Sequence, residues 1–388
     1  MIELRGVTKR FGTTLAVRNL SFKCREREFV VIFGPAGAGK STTLHMIAGI
    51  TKPTYGDLYF GDQSLEGVPP EKRNFSMAFE NYALYSHLTT FENLAFPLRA
   101  RKIPEVEIKR QVKKMAELLH IEELLDRKPG FLSGGQRQRV ALGRCLIRQA
   151  DIYLLDEPIS HLDARLRIQM RAELKNICLE KKTTVLHVTH DYREAMALAD
   201  RMIVLNKGRL MQDASPEDVY NKPTNDFVAQ FVGDPPMSFI EVHLVSKDGK
   251  TAFRLGESEF IIPAASDFNE EMAACASKAE KLQVGLRASQ TSLSSSANKQ
   301  HNVPSVIYLV ESQGHRNLIT VKFGKDLVQV ITPPDQTWKV GEQAWLSVHS
   351  EFLHVFADGR GIYHPDIQIS WVQVFSKEER SSVIDIIK

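Results

Sequence analysis

The alternation of hydrophobic and polar positions divides the chain into two parts. In roughly the first 235 residues, short runs rich in β-branched residues alternate with amphipathic helical stretches. Four of these runs, at 29–33, 152–156, 184–188 and 202–205, are mostly apolar, which is typical of parallel strands covered by helices on both faces. The pattern therefore predicts an α/β domain built on a largely parallel sheet.

The stretch between residues 88 and 150 has a mostly helical pattern. Residues 108–119 place Val112, Met115, Leu118 and Leu119 on one face of a helix. We therefore expect a helical subdomain at about 88–150, inserted into the α/β domain.

A break in composition follows at residues 233–236, which read Gly-Asp-Pro-Pro. Beyond it the strand-like runs are short, and Asp-Gly pairs at 248–249 and 358–359 favour hairpin turns. The polar stretch at 289–302 is typical of a loop, and the last dozen residues suggest an amphipathic tail helix. We predict an α/β domain at 1–235 and a small β-barrel domain at 236–388.

Composition narrows the class of protein. A chain of 388 residues is long enough for two domains with separate cores, and a net charge of +3 argues against a nucleic-acid binder. No apolar run approaches the roughly 18 residues that span a bilayer. The mixed charges of residues 1–5 do not form a secretory signal. The four cysteines lack metal-site spacing, so we expect them to be reduced thiols. Because neither a membrane span nor a secretory signal is present in the pattern, we expect any membrane association to come through a partner.

Residues 34–41 fit the pattern G-x-x-x-x-G-K-[ST] between a strand and a helix. Glycines let backbone N–H groups close around a phosphate, and the helix N-terminus adds partial positive charge. Lys40 would reach the β- and γ-phosphates, and the Ser41 hydroxyl would ligate Mg²⁺. The alternative is a glycine-rich turn without a ligand. The expected phosphate-binding residues are Gly34, Pro35, Ala36, Gly37, Ala38, Gly39, Lys40, Ser41 and Thr42.

Two further strands end in residues suited to phosphate chemistry. Asp156 and Glu157 follow the run at 152–155, where ligands of open α/β sheets bind. Asp156 would hold Mg²⁺ directly or through water, and Glu157 would be the general base for the attacking water. A helix-capping pair is the alternative for these two acids. His190 closes another strand of similar type, from which its imidazole would hydrogen-bond the γ-phosphate, although a lone histidine is usually a surface or core residue.

Residues 132–136, Leu-Ser-Gly-Gly-Gln, predict a second helix start that binds an anion. A capped helix after a loop explains the serine and glycines but gives no reason for a second phosphate cradle. Taken with the phosphate loop and Asp156-Glu157, in this order, the segment resembles the ABC transporter ATPase family. The resemblance covers roughly residues 1–235. It assigns nucleotide contacts to Ser133, Gly134, Gly135 and Gln136.

The resemblance implies further roles and a dimer. Residues 160–163 match the D-loop, with Asp163 near nucleotide, and His190 matches the switch histidine. Phe11 matches the aromatic that stacks on adenine, with a plain hydrophobic anchor as the alternative. Two copies packed head to tail would bury each ATP between Lys40 of one chain and Ser133 of the other. The fold implied is a P-loop NTPase cassette with an inserted helical subdomain, followed by an all-β, OB-like domain of the TOBE type.

Glu80 departs from the family, which ordinarily has glutamine at this position beside Mg²⁺ and the attacking water. A carboxylate about 5 Å from the γ-phosphate would be repelled by roughly 3 kcal/mol at a dielectric near 20, before Mg²⁺ offsets the repulsion. Glu80 would therefore either strengthen metal binding or slow hydrolysis. The chain is then either an active homodimer subunit or a low-turnover subunit paired with an active paralogue.

The C-terminal half resembles that of importer ATPases. Residues 227–239 and 284–289 are similar to the carbohydrate-importer branch, although Ala288-Ser289 replaces its Pro-Glu. The resemblance implies uptake of a sugar or sugar-like solute, including a polyol or glycerol phosphate. It also implies two permease subunits, an extracytoplasmic solute-binding protein and a place on the cytoplasmic face of the cell membrane. The alternatives are another solute, such as a polyamine, sulfate or other ion, and a chiefly regulatory module.

Overall fold

The computed structural model describes residues 1–298 and 301–366, and the expected tail helix lies outside them. The described chain divides into two compact units, one of residues 1–216 and one that begins at Glu217. Residues 217–235 thus belong to the second compact unit. The domain boundary that we placed at 235 from the sequence stays a prediction.

Two sheets form the first unit. An antiparallel sheet has the order β2-β1-β4-β5, and a second sheet, parallel except at its β9-β10 edge, has the order β10-β9-β3-β8-β7-β6. The strands are β1 (Ile2–Phe11), β2 (Thr14–Cys24), β3 (Phe29–Phe33), β4 (Tyr55–Phe60), β5 (Gln63–Ser64), β6 (Phe75–Ala78), β7 (Ile152–Asp156), β8 (Thr184–Thr189), β9 (Arg201–Asn206) and β10 (Arg209–Ala214).

The predicted central strands are all present, and β3, β7 and β8 are buried along their whole length. Burial on both faces is the reason for their continuous apolar sequence. Because β3, β7 and β8 run parallel, their carboxyl ends share one edge of the sheet. That edge receives the phosphate loop, Glu157 and His190.

The α-helices of the described residues are α1 (Lys40–Ala48), α2 (Thr90–Arg99), α3 (Glu105–Leu119), α4 (Gly134–Leu146), α5 (Ala164–Lys181), α6 (Tyr192–Leu198), α7 (Pro216–Asn221), α8 (Asp226–Phe231) and α9 (Glu270–Ser277). Helices α2, α3 and α4 occupy the stretch predicted to be helical. The side chains of Val112, Met115 and Leu119 are buried on α3, as the periodicity predicts, while Leu118 is half-buried. Across the described residues, no helix combines the length and apolarity needed to cross a bilayer.

The second unit contains two antiparallel sheets, of order β13-β12-β11-β14-β20-β21 and β15-β19-β16-β17-β18. The strands are β11 (Ser238–Lys247), β12 (Lys250–Leu255), β13 (Ile261–Pro263), β14 (Leu282–Leu286), β15 (Leu293–Ser294), β16 (His301–Ser312), β17 (Asn317–Phe323), β18 (Asp326–Thr332), β19 (Gln343–Ser347), β20 (His354–Ala357) and β21 (Arg360–Tyr363). One apolar core, which includes Ile240, Val284 and Val355, draws residues from both sheets.

The two Asp-Gly pairs form the predicted hairpins. Asp248 and Gly249 join β11 to β12 with φ values of 53° and 73°, and Asp358 and Gly359 join β20 to β21 with values of 50° and 77°. Two successive positive φ angles are what a type I′ hairpin turn requires. The prediction of a loop throughout 289–302 is wrong at Leu293–Ser294, which pair with β19, and at 301–302, where β16 begins.

Candidate functional site

The loop between β3 and α1 has the backbone shape of a phosphate cradle. Gly37 and Gly39 have φ values of 75° and 97°, which side-chain-bearing residues rarely adopt. A Cβ atom on Gly34 would lie 2.3 Å from the Leu205 carbonyl oxygen, so the loop also needs glycine for close packing. The sequence therefore dictates a tight turn whose amides lead into the first turn of α1.

Lys40 is folded back onto this loop, with its Nζ donating to the Pro35 carbonyl at 3.1 Å and lying 4.0 Å from Glu157 Oε1. Burial lowers the pKa of Lys40 from its usual value, against the opposing effect of Glu157, Asp156 and Glu80. The ammonium is thus poorly hydrated and pairs with the Glu157 carboxylate, and the nearby carboxylates leave a bound phosphate in need of a cation such as Mg²⁺.

The carboxyl end of β7 holds the oxygen donors. Ser41 Oγ donates to Asp156 Oδ1 at 2.9 Å, and burial raises the pKa of Asp156 while this hydrogen bond lowers it. Glu80 is exposed but lines the same cavity of about 290 Å³. The cavity is lined by Ser41, His45, Phe79, Glu80, Asn81, Asp156 and His161. The Ser41 hydroxyl and the carboxylates of Asp156 and Glu80 are oxygen ligands of the kind that Mg²⁺ takes, with its remaining sites left for water and phosphate.

Glu157 and His190 are joined side chain to side chain, with His190 Nδ1 2.8 Å from Glu157 Oε1. Because an ionised carboxylate only accepts hydrogen bonds, Nδ1 is the donor. The remaining ring nitrogen then donates to a phosphate only when the ring is doubly protonated. Glu157 is held in the left-handed region at φ 47°, and its N–H donates to the Val188 carbonyl at 3.0 Å. The base predicted from the sequence and the predicted switch histidine therefore form one unit.

The Leu-Ser-Gly-Gly-Gln segment begins α4. Ser133 Oγ accepts from the Gln136 N–H at 3.2 Å, and Gln136 Oε1 accepts from the Ser133 N–H at 2.8 Å, which is a reciprocal capping box. The capping role explains both polar side chains locally. It also leaves the first N–H groups of the helix, at Gly134 and Gly135, without intrahelical partners.

The remaining predicted residues lie at two turns. Asp163 caps α5 by accepting from the Leu166 N–H at 2.9 Å. Phe11 ends β1, is 51% exposed and lies under the Lys9 ammonium at 4.9 Å from its ring centre. The following strand β2 passes the phosphate loop, since a Cβ on Gly39 would lie 2.5 Å from the Ala16 carbonyl oxygen. An exposed aromatic at this hairpin is consistent with either reading of Phe11.

The structure brings together some predicted residues and not others. Lys40, Ser41, Asp156, Glu157 and His190 lie at one edge of the sheet, with the contacts given above. Ser133 and Gln136 bond each other at the start of α4, and Asp163 bonds the start of α5.

Three residues of the site were missed from the sequence. His45 lies one turn after Ser41 on α1, with Nε2 4.0 Å from Asp156 Oδ2, and its i+4 spacing was the available signal. Gln138 is buried on α4, where a side-chain amide requires hydrogen-bond partners. Arg167 donates to the Ser160 and Leu162 carbonyls at 3.1 and 3.0 Å, a contact that no local pattern indicates.

Comparisons with known proteins match both units. Residues 17–160 match the ABC transporter family, and residues 280–356 match the TOBE domain. The chain is 42% identical over 335 residues to the trehalose/maltose import ATP-binding protein MalK of Thermococcus litoralis, covering 83% of this chain and 88% of that protein. It is 46% identical to the sn-glycerol-3-phosphate import ATP-binding protein UgpC of Cupriavidus metallidurans, covering 66% of this chain and 73% of that protein.

A solved structure supports the same assignment. A dimeric, post-hydrolysis state of the ATP-binding cassette MJ0796 bound to ADP and Pi aligns with a TM-score of 0.53 and 31% identity, covering 56% of this chain and 99% of that one. The fold predicted from the sequence, a nucleotide-binding cassette followed by an all-β TOBE-type domain, is confirmed. Because the likeness extends over most of its length and includes both domains, the chain belongs to the ABC transporter family, as an ATP-hydrolysing subunit.

Proposed function

We propose that this ATPase drives import of a sugar or sugar-like solute, a class that includes polyols and glycerol phosphate. The observation that carries the proposal is 42% identity, over 83% of the chain, to a trehalose/maltose import protein. Its partners are two permease subunits and an extracytoplasmic solute-binding protein, and it works at the cytoplasmic face of the cell membrane. A motor for a polyamine, sulfate or another ion is the alternative.

The nucleotide lies on the phosphate loop in this proposal. The loop amides and Lys40 bind the phosphates, Ser41 and Asp156 hold Mg²⁺, and Glu80 approaches it across the shared cavity. Mg²⁺ neutralises charge on the β- and γ-phosphates when bound. Glu157 accepts the proton of the attacking water, and His190 orients the carboxylate through its 2.8 Å contact.

A second copy completes each site. The unpartnered N–H groups at the start of α4 are an anion-binding feature, and Ser133 is exposed beside them. In a head-to-tail dimer they would face the nucleotide held by Lys40 of the other copy. The aligned cassette structure is itself dimeric, which supports this arrangement.

Segment 81–88 is the proposed docking surface for the permeases. Tyr85 is 37% exposed, and its ring lies 4.7 Å from that of Phe96 and 5.1 Å from the Arg144 guanidinium. These residues line a cavity of about 350 Å³. An exposed aromatic beside an open cavity fits a helix from a partner better than a folding role alone.

Cysteines placed at Ala83 or Ser86, both exposed, should crosslink to the permease loops in the assembled transporter. The matched control is a cysteine at Ser64, which is also exposed but lies on the other sheet of the first unit. Crosslinks would be read as a shift in permease mobility on a denaturing gel. An active, assembled transporter that crosslinks at neither Ala83 nor Ser86 would exclude this docking surface.

Glu80→Gln should change the Mg²⁺ concentration at which the purified chain reaches its maximal ATPase rate. The Glu80 carboxylate shares a cavity with Asp156 and raises the pKa of the Asp156 carboxyl. Replacing Glu80 with neutral glutamine therefore weakens the electrostatic attraction of the cavity for a divalent cation. We expect wild type to hydrolyse ATP unaided, as an active homodimer, and the variant to need several-fold more Mg²⁺. Glu66→Gln, on an exposed turn, is the control. An inactive wild type that a paralogous partner activates would instead support the low-turnover alternative.

The solute class is tested by uptake. Cells that lack this gene should lose uptake of labelled maltose, trehalose or sn-glycerol 3-phosphate, and the wild-type gene should restore it while Glu157→Gln should not. Loss of spermidine or sulfate uptake alone would contradict the proposed solute. A chiefly regulatory role would instead leave uptake restored by Glu157→Gln.

A further inference from the structure

One buried side chain connects the signature helix to the catalytic base of the same chain. Gln138 lies on α4, five residues after the capping serine Ser133, and is 3% exposed. Its Nε2 donates to the Glu157 carbonyl at 2.8 Å and to Ser160 Oγ at 3.3 Å, and its Oε1 accepts from the His161 N–H at 3.1 Å. All three contacts thus go to the segment that carries the base and the D-loop.

The orientation of this amide is fixed by its partners. A carbonyl oxygen only accepts and a backbone N–H only donates, so the nitrogen of Gln138 must face Glu157 and its oxygen must face His161. The reversed amide would place like groups against each other on both sides. The contact is therefore specific for glutamine and not a matter of filling space.

Glu157, whose carbonyl accepts the hydrogen bond from Gln138, has a strained backbone. Glu157 has φ 47°, a left-handed conformation that costs about 1–2 kcal/mol in a residue with a side chain. Its N–H is held by the Val188 carbonyl at 3.0 Å, and its C=O is held by Gln138. The two bonds together fix the peptide planes on both sides of the residue, and with them the direction in which its carboxylate points toward His190 and Lys40.

The position of Gln138 on α4 also connects the two ATP sites of the proposed dimer. In the dimer proposed above, Ser133 and the start of α4 face the ATP bound by the other copy, whereas Glu157 acts on the ATP bound by its own chain. A helix such as α4 moves as a rigid rod over the turn and a half that separates Ser133 from Gln138. A displacement caused by nucleotide at one site thus reaches the base of the other site through one hydrogen-bonded side chain.

We propose that Gln138 is a positioning residue that sets the Glu157 peptide according to the state of the signature helix, and so makes the two ATP sites of a dimer cooperative. The proposal rests on the head-to-tail dimer of the proposed function. Gln138 does not touch nucleotide. It acts through the backbone of the base, and its loss should therefore lower turnover much more than nucleotide binding.

The test uses the full-length chain and compares ATPase rate against ATP concentration for wild type, Gln138→Leu and Gln138→Glu. Leucine removes all three contacts, and glutamate keeps an acceptor for His161 but loses the donor to Glu157. We expect wild type to show a Hill coefficient above 1. Both variants should lose at least about tenfold in kcat, because small displacements of a catalytic group are costly. Their Hill coefficients should fall to 1 while the Kd for a fluorescent ATP analogue changes less than about threefold.

Thr183→Val is the matched control. The Thr183 hydroxyl is also buried and donates to the Ala150 and Asp151 carbonyls at 3.0 and 3.1 Å, at the opposite end of β7. Its loss should lower the unfolding temperature like the Gln138 variants but leave the Hill coefficient unchanged. If Gln138→Leu does not fold, Gln138→Glu decides.

A folded Gln138 variant that keeps the wild-type kcat and Hill coefficient would overturn the proposal, as would a wild-type Hill coefficient of 1. A wild type that neither binds nor hydrolyses ATP would count against the proposed function as a whole.

Discussion

Glu157→Gln should lower the ATPase rate by about 10²–10⁴-fold while ATP binding persists, because the substitution removes the proton acceptor and little else. Glutamine has the same length, and the backbone bonds to Gln138 and Val188 do not involve the side chain. Lys40, Ser41 and Asp156 remain in place to hold the nucleotide. The variant therefore keeps the groups that close the dimer and loses the one that reopens it by hydrolysis.

The expected state of Glu157→Gln is a dimer with ATP trapped between the two copies. Size-exclusion chromatography with ATP and Mg²⁺ should show the dimer for the variant and a mixture for wild type, and phosphate release should be nearly absent. Glu66→Gln removes an exposed carboxylate from a turn and should behave as wild type. A Glu157→Gln protein that stays monomeric and hydrolyses ATP normally would remove Glu157 from the role of base.

The part of the site that the sequence predicted is the part encoded by contiguous motifs. The phosphate loop fixes its own geometry, because glycines with positive φ and a following helix lie within eight residues. Asp156 and His190 were predictable because a run of apolar residues ends at each of them, and parallel strands end at a common edge.

The parts that could not be predicted are joined across long stretches of chain. Gln138 and Glu157 are 19 residues apart. Arg167 on α5 lies 3.5 Å from Asp191, which caps the next helix, α6. The periodicity of α4 indicates that Gln138 is buried, but it does not indicate which backbone carbonyl accepts its hydrogen bond. Such partners follow from tertiary packing, which local propensity does not encode.

The start of the second compact unit also depends on partners that are distant in sequence. The break in composition lies at 233–236, and the second compact unit begins at Glu217. The reason is Arg287, which is 1% exposed and donates to the carbonyls of Ala229, Val232 and Tyr220. The motif containing Arg287 was read as a family resemblance. Its physical role is to bind α7 and α8 to the sheets that follow.

Acidification should destabilise the second unit well before most carboxylates titrate. His354 and His364 share one hydrogen bond, with their Nδ1 atoms 3.0 Å apart, so at least one of these nitrogens must be unprotonated. Burial, the Arg287 cation and Lys222 lower the pKa of His364 to about 4, against a raising effect of the Pro223 carbonyl. Burial, Arg287 and His364 lower the pKa of His354 as well.

The direction of the pH effect follows from proton linkage. The unfolded chain binds a proton at each histidine near the usual pKa of about 6.5, whereas the folded His364 binds one only near pH 4. The free energy of unfolding is therefore unaffected by these histidines above pH 6.5 and decreases as the pH falls from 6.5 toward 4. His364 alone should contribute a loss of about 2 kcal/mol at pH 5, and His354 adds a loss of the same sign.

Intrinsic fluorescence follows the second unit through Trp338 and Trp345, which both lie in it. The third tryptophan, Trp371, is replaced by phenylalanine in every protein of this experiment. Urea unfolding of the full chain should show a fluorescence midpoint about 1 M lower at pH 5 than at pH 7.5, given a slope near 2 kcal/mol/M. His364→Gln removes one titrating group and should reduce this difference by about half or more. His315→Gln, on an exposed loop of the same unit, should leave it unchanged. Equal midpoints at the two pH values in wild type would show that the buried histidine pair does not couple folding to protonation.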